Sequence, residues 1–211
     1  MTLDSPPSPL HLKPFYLLRH GESEANLRQA VAGGNLDSPL TERGIQQAED
    51  LARQIEYLQV KPSCIYHSPL SRAAETARLV NQSLGLEMIV RPDLKEHIFG
   101  DWENQPWSAI KIMIDKGVEP PNGETYLDFT KRVQSAFNTI LSEDHSSPPL
   151  LVAHGGIFNA FARLYDQKFG EIENCILHYF VPLPDNQPFP WEITLLKPSP
   201  QEGLSKDKFR L

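Results

Sequence analysis

The chain has few of the features that mark secreted, membrane or metal-rich proteins. It contains two cysteines in 211 residues, Cys64 and Cys175, and their separation matches neither a disulfide-rich pattern nor a metal-binding motif. Residues 1–14 are rich in proline and serine, whereas a secretory signal needs an apolar core. No apolar run approaches the roughly 20 residues of a membrane-spanning helix. These absences predict a cytoplasmic protein without a membrane partner, a metal or another cofactor.

Positive charge is also scarce. The 20 lysines and arginines face 27 aspartates and glutamates, which gives a net charge of −7. Proteins that bind nucleic acids or membrane surfaces are usually basic, so the composition argues against both partners. A small anionic ligand is not excluded, because local groups can oppose the net charge. A hydrophobic content of 40% suits a single domain with a sizeable core.

Short apolar runs alternate with amphipathic segments along the chain. The runs that predict strands are Phe15–Leu18, Cys64–Tyr66, Glu87–Val90, Leu150–Ala153, Ile176–Val181 and Glu192–Leu196. Apolar residues at three- and four-residue steps predict helices over 41–58, 71–84, a short stretch to 116, 125–141 and 157–165. This alternation predicts an α/β three-layer sandwich with a mostly parallel central sheet flanked by helices. We expect residues 1–14 to form an irregular arm, 15–198 one domain and 199–211 a solvated tail.

Charged and polar side chains follow several of the predicted strands at the point where each strand ends. Arg19 and His20 follow the first strand. Arg72 lies in the segment HSPLSR after the second strand, and His154 follows the fourth. In open α/β sheets, ligands bind outside the carboxyl ends of the strands, so we expect these side chains to meet in one crevice. Glu96, in the irregular segment after the third strand, would add a carboxylate.

Such a set of side chains is suited to phosphate chemistry. Guanidinium groups hold phosphate oxygens through charge-assisted, often bidentate hydrogen bonds. One histidine can attack phosphorus, while a second histidine and the arginines stabilise the charge that develops. A carboxyl group can protonate the leaving oxygen and later deprotonate water. The glycines after His20 and His154 would admit a ligand close to the backbone, and helices that start there would offer amide donors.

Each motif taken alone has an ordinary structural explanation. An Arg-His pair at a strand end is usually solvated or salt-bridged, and a lone HGG is usually a turn. An arginine on the first turn of a helix is often only a surface charge. The appearance of all three motifs at strand ends of one chain favours a functional site.

Six sequence blocks together resemble the histidine phosphatase superfamily, the phosphoglycerate mutase-like proteins. The blocks are LLRHGESEAN, DSPLTERGIQQA, HSPLSRAAETA, LKEHIFGDWEN, PNGETYLDFTKRV and LLVAHGG. They occur in the family's order and span roughly residues 15–160. The resemblance implies a mainly parallel sheet flanked by helices and a reaction that needs no metal.

The resemblance also implies a role for each matching residue. His20 would be the nucleophile that becomes phosphohistidine, and Glu96 would be the proton donor and acceptor. The phosphate pocket would be lined by Arg19, Asn26, Arg72, His154 and Gly155. The implied enzyme is a phosphomonoesterase of the histidine acid phosphatase type, and its partner is a small phosphorylated metabolite.

The choice between phosphatase and mutase rests on departures from the mutase branch of the family. That branch typically has a tryptophan where this chain has Ala25, and a Glu-Arg-His-Tyr-Gly block where this chain has EHIFG at 96–100. Its following segment is longer and carries paired arginines, whereas segment 101–122 here has Lys111 and Lys116 as its only basic residues. These differences favour a phosphatase. A cofactor-dependent phosphoglycerate mutase is the alternative, and a non-catalytic phospholigand-binding protein is a third hypothesis.

The sequence does not identify the leaving group of the substrate. Specificity is expected to depend on the loop Ala30–Asn35, on the segment Phe99–Gly123 and on the C-terminal tail, and none of these indicates a particular metabolite. The oligomeric state stays open, with a homodimer among the alternatives.

Overall fold

The computed structural model describes residues 10–198 and 204–208, which form a seven-stranded sheet between two layers of helices. The strands are β1 Phe15–Arg19, β2 Ile65–His67, β3 Met88–Val90, β4 Leu150–Ala153, β5 Leu177–Pro182, β6 Trp191–Pro198 and β7 Leu204–Lys208. The helices are α1 Glu24–Leu27, α2 Glu42–Ile55, α3 Ser71–Asn81, α4 Trp107–Asp115, α5 Tyr126–Ser142 and α6 Gly155–Arg163. Two 3-10 turns, Pro92–Leu94 and Gly100–Trp102, lie between β3 and α4. Among these residues, no helix has both the length and the apolar character that a membrane crossing requires.

The sheet consists of a parallel part and an antiparallel extension. Its strand order is β3-β2-β4-β1-β5-β6-β7. The first four strands in this order pair in parallel, whereas β5 pairs antiparallel with β1 and continues antiparallel through β6 to β7. The predicted α/β sandwich with a mostly parallel core is confirmed.

Both faces of the central strands are buried. Phe15 and Leu17 of β1 pack into a core cluster with residues of α5 and α6. Tyr16 and Leu18 point to the opposite face, where α2 and α3 complete a second cluster. Burial on both faces explains why these strands appear in the sequence as continuous apolar runs and do not alternate with polar residues.

The local sequence of helix α2 explains where the helix begins and which of its faces is buried. The Gly44 amide donates to Thr41 Oγ1 at 3.0 Å, so Thr41 caps the helix N-terminus as predicted. Ala48, Leu51 and Ile55 recur at three- and four-residue steps and are buried, which gives one apolar stripe facing the sheet. The helix ends at Ile55, short of the predicted end.

The N-terminal arm and the C-terminal tail differ in part from what the sequence predicts. Residues 10–14 of the predicted arm form neither helix nor strand, yet Leu10 is buried against the core. The expected solvated tail is corrected at Leu204–Lys208, which forms the edge strand β7 paired with β6. The side chains of residues 205–207 are exposed. Backbone pairing at a sheet edge therefore holds a polar segment that has no apolar pattern. The remaining residues of the predicted arm and tail, 1–9, 199–203 and 209–211, lie outside the described residues.

Candidate active site

Strand register brings the predicted residues to one edge of the sheet. Arg19 pairs with Ala153, and the His20 amide donates to the Ala153 carbonyl at 3.1 Å. His20 and His154 therefore leave neighbouring strands side by side, with their ring centroids 5.1 Å apart. Strand β2 flanks β4 on its other side and leads into α3, whose first turn carries Arg72.

The His20 ring is held with one nitrogen unprotonated. Its Nδ1 lies 2.6 Å from the Gly21 carbonyl, so Nδ1 carries the proton. Its Nε2 accepts a hydrogen bond from Arg72 Nε at 3.2 Å. Burial, followed by the charges of Arg72 and Arg19, lowers the pKa of His20 well below its ordinary value. The result is a neutral imidazole whose Nε2 lone pair is chemically able to act as a nucleophile.

The guanidinium of Arg72 is buried between His20 and a loop. The residue is 1% exposed. Its Nη2 donates to the Gly33 carbonyl at 2.9 Å and its Nη1 to the Leu36 carbonyl at 3.3 Å. Burial lowers the pKa of Arg72. The loop carbonyls therefore fix the direction in which this cation faces the His20 ring.

Two buried side-chain nitrogens have no hydrogen-bond partner within the described residues, Arg19 Nε and His154 Nδ1. Arg19 is anchored through Nη1, which donates to the Ile172 carbonyl. His154 is fully buried, and its Nε2 lies 2.8 Å from Ser68 Oγ. Burial, followed by the charge of Arg72, lowers the pKa of His154 well below its ordinary value. Unpartnered buried polar atoms are costly, so both nitrogens are suited to hydrogen-bond a ligand.

Glu96 reaches the site from the segment between the two 3-10 turns. Its carboxylate accepts hydrogen bonds from the amides of His97 at 2.8 Å and Gly156 at 3.1 Å. A Cβ on Gly156 would lie 2.0 Å from Glu96 Oε1, so this close approach requires glycine. The charge of Glu96 opposes the burial that lowers the pKa of Arg19 and Arg72. The carboxylate therefore faces the cationic side of the site.

Arg132 and Glu124 brace the segment that carries Glu96. Arg132 Nη1 donates to the Asp93 and Lys95 carbonyls at 2.9 Å each, and Nη2 donates to the Glu96 carbonyl at 3.2 Å. The two Glu124 oxygens accept from Arg132 Nε at 2.8 Å and Nη2 at 2.7 Å. Both residues lie in the block PNGETYLDFTKRV, to which the sequence analysis assigned no function. The structure shows that this block holds the backbone of the candidate acid.

Glu103 connects the two segments that were expected to control specificity. Its Oε1 accepts from the Asn35 and Phe99 amides at 3.2 Å each, and its Oε2 accepts from the Leu36 amide at 2.8 Å. Gly33 has a φ of +64°, and a Cβ there would lie 2.3 Å from Glu103 Oε1. The same loop supplies the carbonyls that hold the guanidinium of α3. Glu103 therefore orients that cation indirectly, a role that sequence reasoning missed.

Gly21 has a different role from the predicted one. A Cβ on Gly21 would lie 2.4 Å from the Gly44 carbonyl oxygen, so its small size serves packing against α2. Its amide donates to Thr76 Oγ1 at 3.0 Å, and the helix that follows, α1, has only four residues. The expectation that a helix after Gly21 presents amides to a ligand is therefore wrong. Helix α6, in contrast, starts directly at Gly155, whose amide has no intrahelical partner.

Asn26 is linked to His20 through Asn174, a residue that no sequence motif indicates. Asn26 Oδ1 accepts from the Ser23 amide at 3.1 Å and from Asn174 Nδ2 at 3.4 Å. Asn174 Nδ2 also donates to the His20 carbonyl at 2.7 Å. Because the side-chain oxygen Oδ1 of Asn26 already accepts these hydrogen bonds, a contact between Asn26 and phosphate would use the side-chain nitrogen Nδ2.

The described residues hold no cluster of three or more His, Cys, Asp or Glu side chains placed to bind a metal ion. The fold and the site define an α/β protein in which two arginines and two histidines meet beside the Glu96 carboxylate at one edge of the sheet. The model of the histidine phosphatase superfamily (branch 1) matches residues 15–179. The chain belongs to the histidine phosphatase superfamily.

Two curated relatives carry different names. The chain is 36% identical over 163 residues to "Putative phosphoserine phosphatase 2" of Hydrogenobacter thermophilus. The aligned region covers 72% of this chain and 78% of the relative. The chain is 33% identical over 150 residues to "Probable phosphoglycerate mutase GpmB" of Yersinia pestis, which covers 66% and 68% respectively. The family resemblance is confirmed, and the names alone leave both branches open.

Two solved structures with the same fold are named as phosphatases. A mycobacterial glucosyl-3-phosphoglycerate phosphatase in complex with VO3 has a TM-score of 0.73 and 25% identity, with 89% of this chain and 100% of that chain covered. The alpha-ribazole phosphatase from Shigella flexneri has a TM-score of 0.68 and 28% identity, with 92% and 100% covered. Together with the first relative, these similarities support a phosphatase.

Proposed function

We propose that this protein is a metal-independent phosphatase that hydrolyses a small phosphomonoester metabolite through a phosphohistidine on His20. The observation that carries the proposal is the pair of unpartnered buried nitrogens, Arg19 Nε and His154 Nδ1, beside a neutral His20. A phosphoryl group would accept hydrogen bonds from both nitrogens and bring phosphorus to His20 Nε2. Arg72 and the Gly155 amide would add donors for its remaining oxygens.

In the first step, His20 Nε2 attacks phosphorus as the bond to the leaving oxygen breaks. The hydrogen bond from Arg72 Nε to Nε2 must first pass to a phosphate oxygen, because it occupies the attacking lone pair. The Gly21 carbonyl holds Nδ1–H and keeps the ring oriented as Nε2 becomes bonded to phosphorus. Glu96 in its protonated form gives its proton to the leaving oxygen, which departs as an alcohol.

In the second step, water replaces the departed alcohol. The Glu96 carboxylate takes a proton from this water, whose oxygen attacks the phosphorus of phosphohistidine. The P–N bond breaks, inorganic phosphate is released, and His20 returns to its neutral form. The two steps use one carboxyl group first as an acid and then as a base, and Glu96 is the carboxylate whose charge acts most strongly on both Arg19 and Arg72.

The surroundings of the site favour hydrolysis over mutase activity. A mutase must hold a substrate with a second acidic group, and the family's mutase branch uses paired arginines for this. Here the corresponding segment supplies two lysines, and Lys111 Nζ is bonded to Asp115 at 2.8 Å on the exposed face of α4. The relative named GpmB keeps the mutase as the alternative function.

Acid-quench trapping tests the proposed intermediate. The protein is mixed with a 32P-labelled phosphomonoester in the absence of metal and quenched, and labelled protein is measured. We expect an acid-labile phosphoprotein that is lost in His20→Ala and retained in His11→Ala, a control at an exposed histidine. Normal turnover by His20→Ala, or labelling that needs an added divalent metal, would contradict the proposal.

A coupled assay separates the two branches. With 3-phosphoglycerate, a phosphatase releases inorganic phosphate and a mutase forms 2-phosphoglycerate when 2,3-bisphosphoglycerate is present. We expect no isomerisation, and a phosphate-release screen over phosphorylated metabolites then identifies the substrate. Isomerisation at a higher rate than any hydrolysis in that screen would establish the mutase alternative.

A further inference from the structure

We infer that Ser68 is a positioning residue for His154: its hydroxyl donates to His154 Nε2 and so fixes the tautomer in which Nδ1 carries the proton. The catalytic consequence of this inference depends on the proposed phosphatase function. The tautomer itself does not, because it is a property of the unliganded protein.

The hydrogen-bond pattern around the Ser68 hydroxyl determines its direction. A serine hydroxyl has one proton to donate and two lone pairs that accept. The Leu70 amide, which can only donate, lies 3.3 Å from Ser68 Oγ and uses a lone pair. Within the described residues, the other partner of the hydroxyl is His154 Nε2 at 2.8 Å. The hydroxyl proton of this fully buried serine therefore goes to Nε2.

The sheet holds the two partners in place. The Ser68 amide donates to the Val152 carbonyl at 3.1 Å, which continues the pairing of β2 with β4 by one residue. His154 lies two residues after Val152, directly beyond the end of β4 and at the N-cap of α6. Backbone hydrogen bonds thus hold the main chain at Ser68 and at His154, whose carbonyl accepts from the Ile157 amide at 3.2 Å.

The tautomer decides what His154 offers to a phosphoryl group. A neutral imidazole has one N–H and one lone pair. If Nε2 accepts from Ser68, Nδ1 carries the hydrogen, and this is the buried nitrogen that has no protein partner. In the other tautomer, Nδ1 would present a lone pair to phosphate oxygens, which are also acceptors. Burial and the charge of Arg72 keep the ring neutral. The tautomer, and not a positive charge on the ring, therefore decides whether His154 can donate a hydrogen bond to a phosphate oxygen.

Imidazole nitrogen NMR on the wild-type protein tests the tautomer directly. Long-range 1H–15N correlation spectra distinguish protonated from unprotonated ring nitrogens, and the signals of His154 are assigned by their loss in His154→Gln. We expect Nδ1 to be protonated and Nε2 unprotonated at neutral pH. A protonated Nε2 would overturn the inference, whatever the activity of the enzyme.

The variant Ser68→Ala tests the role of the hydroxyl. It removes one atom without adding bulk, and Ser63→Ala is the matched control. Ser63 precedes the same strand at its other end, and its hydroxyl donates to the Ser147 carbonyl at 2.6 Å. In Ser68→Ala, we expect the His154 spectrum to shift towards the Nε2-protonated tautomer and the affinity for inorganic phosphate to fall roughly tenfold. Ser63→Ala should change neither quantity.

The outcomes separate this inference from the proposed function. An unchanged His154 tautomer and phosphate affinity in folded Ser68→Ala would overturn the positioning role. If Ser68→Ala does not fold, the wild-type spectrum still decides the tautomer. A wild-type protein that binds inorganic phosphate with the expected tautomer, yet forms no phosphohistidine with any substrate, would contradict the proposed function and leave the inference intact.

Discussion

The two sides of the candidate site are held by different means. On one side, Arg19, His20 and His154 emerge directly from β1 and β4, whose backbone ladder fixes their positions. On the other side, Glu96 lies in irregular backbone that side chains hold in place, chiefly Arg132. The sheet side is therefore part of the core, and the loop side depends on a few long-range hydrogen bonds. Substitutions should separate phosphate binding from proton transfer along this division.

Among the substitutions that should affect only one side of the site, Glu96→Gln is expected to have the largest effect. The amide is isosteric but cannot donate and accept a proton in turn, so we expect kcat to fall by on the order of 10²- to 10⁴-fold. Inorganic phosphate should still bind with an affinity near that of the wild type, because the sheet side is unchanged. Steady-state kinetics and calorimetric titration check this, with Glu56→Gln at the exposed end of α2 as control. A loss of phosphate affinity equal to the loss in kcat would contradict the division.

Removing the brace should give the next largest effect. Arg132→Ala removes the guanidinium that donates to three backbone carbonyls and to both oxygens of the Glu124 carboxylate. We expect the free energy of unfolding to fall by about 3 kcal/mol and kcat to fall by up to about 10²-fold as the acid is displaced. Urea unfolding and kinetics measure both quantities. Lys131→Ala on the exposed face of the same helix is the control. A destabilised variant with wild-type kcat would show that the brace has only a structural role.

A smaller effect is expected from Glu103→Gln, which weakens the support of Arg72. The side-chain NH2 would face at least one of the three backbone amides that the carboxylate now accepts. The loop should loosen, and kcat/KM and phosphate affinity should fall about five- to tenfold. Asp101→Asn, an exposed residue two positions earlier, is the control. Equal values for the two variants would argue against indirect support of the cation.

The pH dependence should show the smallest effect. Burial and two cations lower the pKa of His20, so the neutral nucleophile persists below the ordinary histidine value of about 6.5. In kcat/KM profiles from pH 4 to 8, we expect the limb that reports protonation of His20 to lie below pH 6.5. NMR titration assigns the acid limb to His20. A midpoint for His20 at or above 6.5 would contradict the burial seen here.

The structure also explains why one side of the site was easier to predict than the other. Arg19, His20 and His154 follow strands that are buried on both faces, and such strands stand out as apolar runs. The support of Glu96 and Arg72 depends on contacts between distant segments, such as the 39 positions between Arg132 and Asp93. No periodicity in the sequence indicates such contacts. The edge strand β7 was missed for a related reason, since the side chains of residues 205–207 are exposed and the segment is held chiefly by backbone pairing with β6.

The sequence by itself determined the layered fold and the group of residues at the strand ends. This was possible because burial on both faces of a parallel sheet leaves a direct trace in composition, and because six blocks in order identify the family. Only the tertiary structure decided which atoms lack partners and which residues hold the site. It placed Ser68 against His154 across 86 positions, and it assigned Gly21 to packing against α2. Hydrogen-bond partners depend on register and loop conformation, which are properties of the folded chain as a whole.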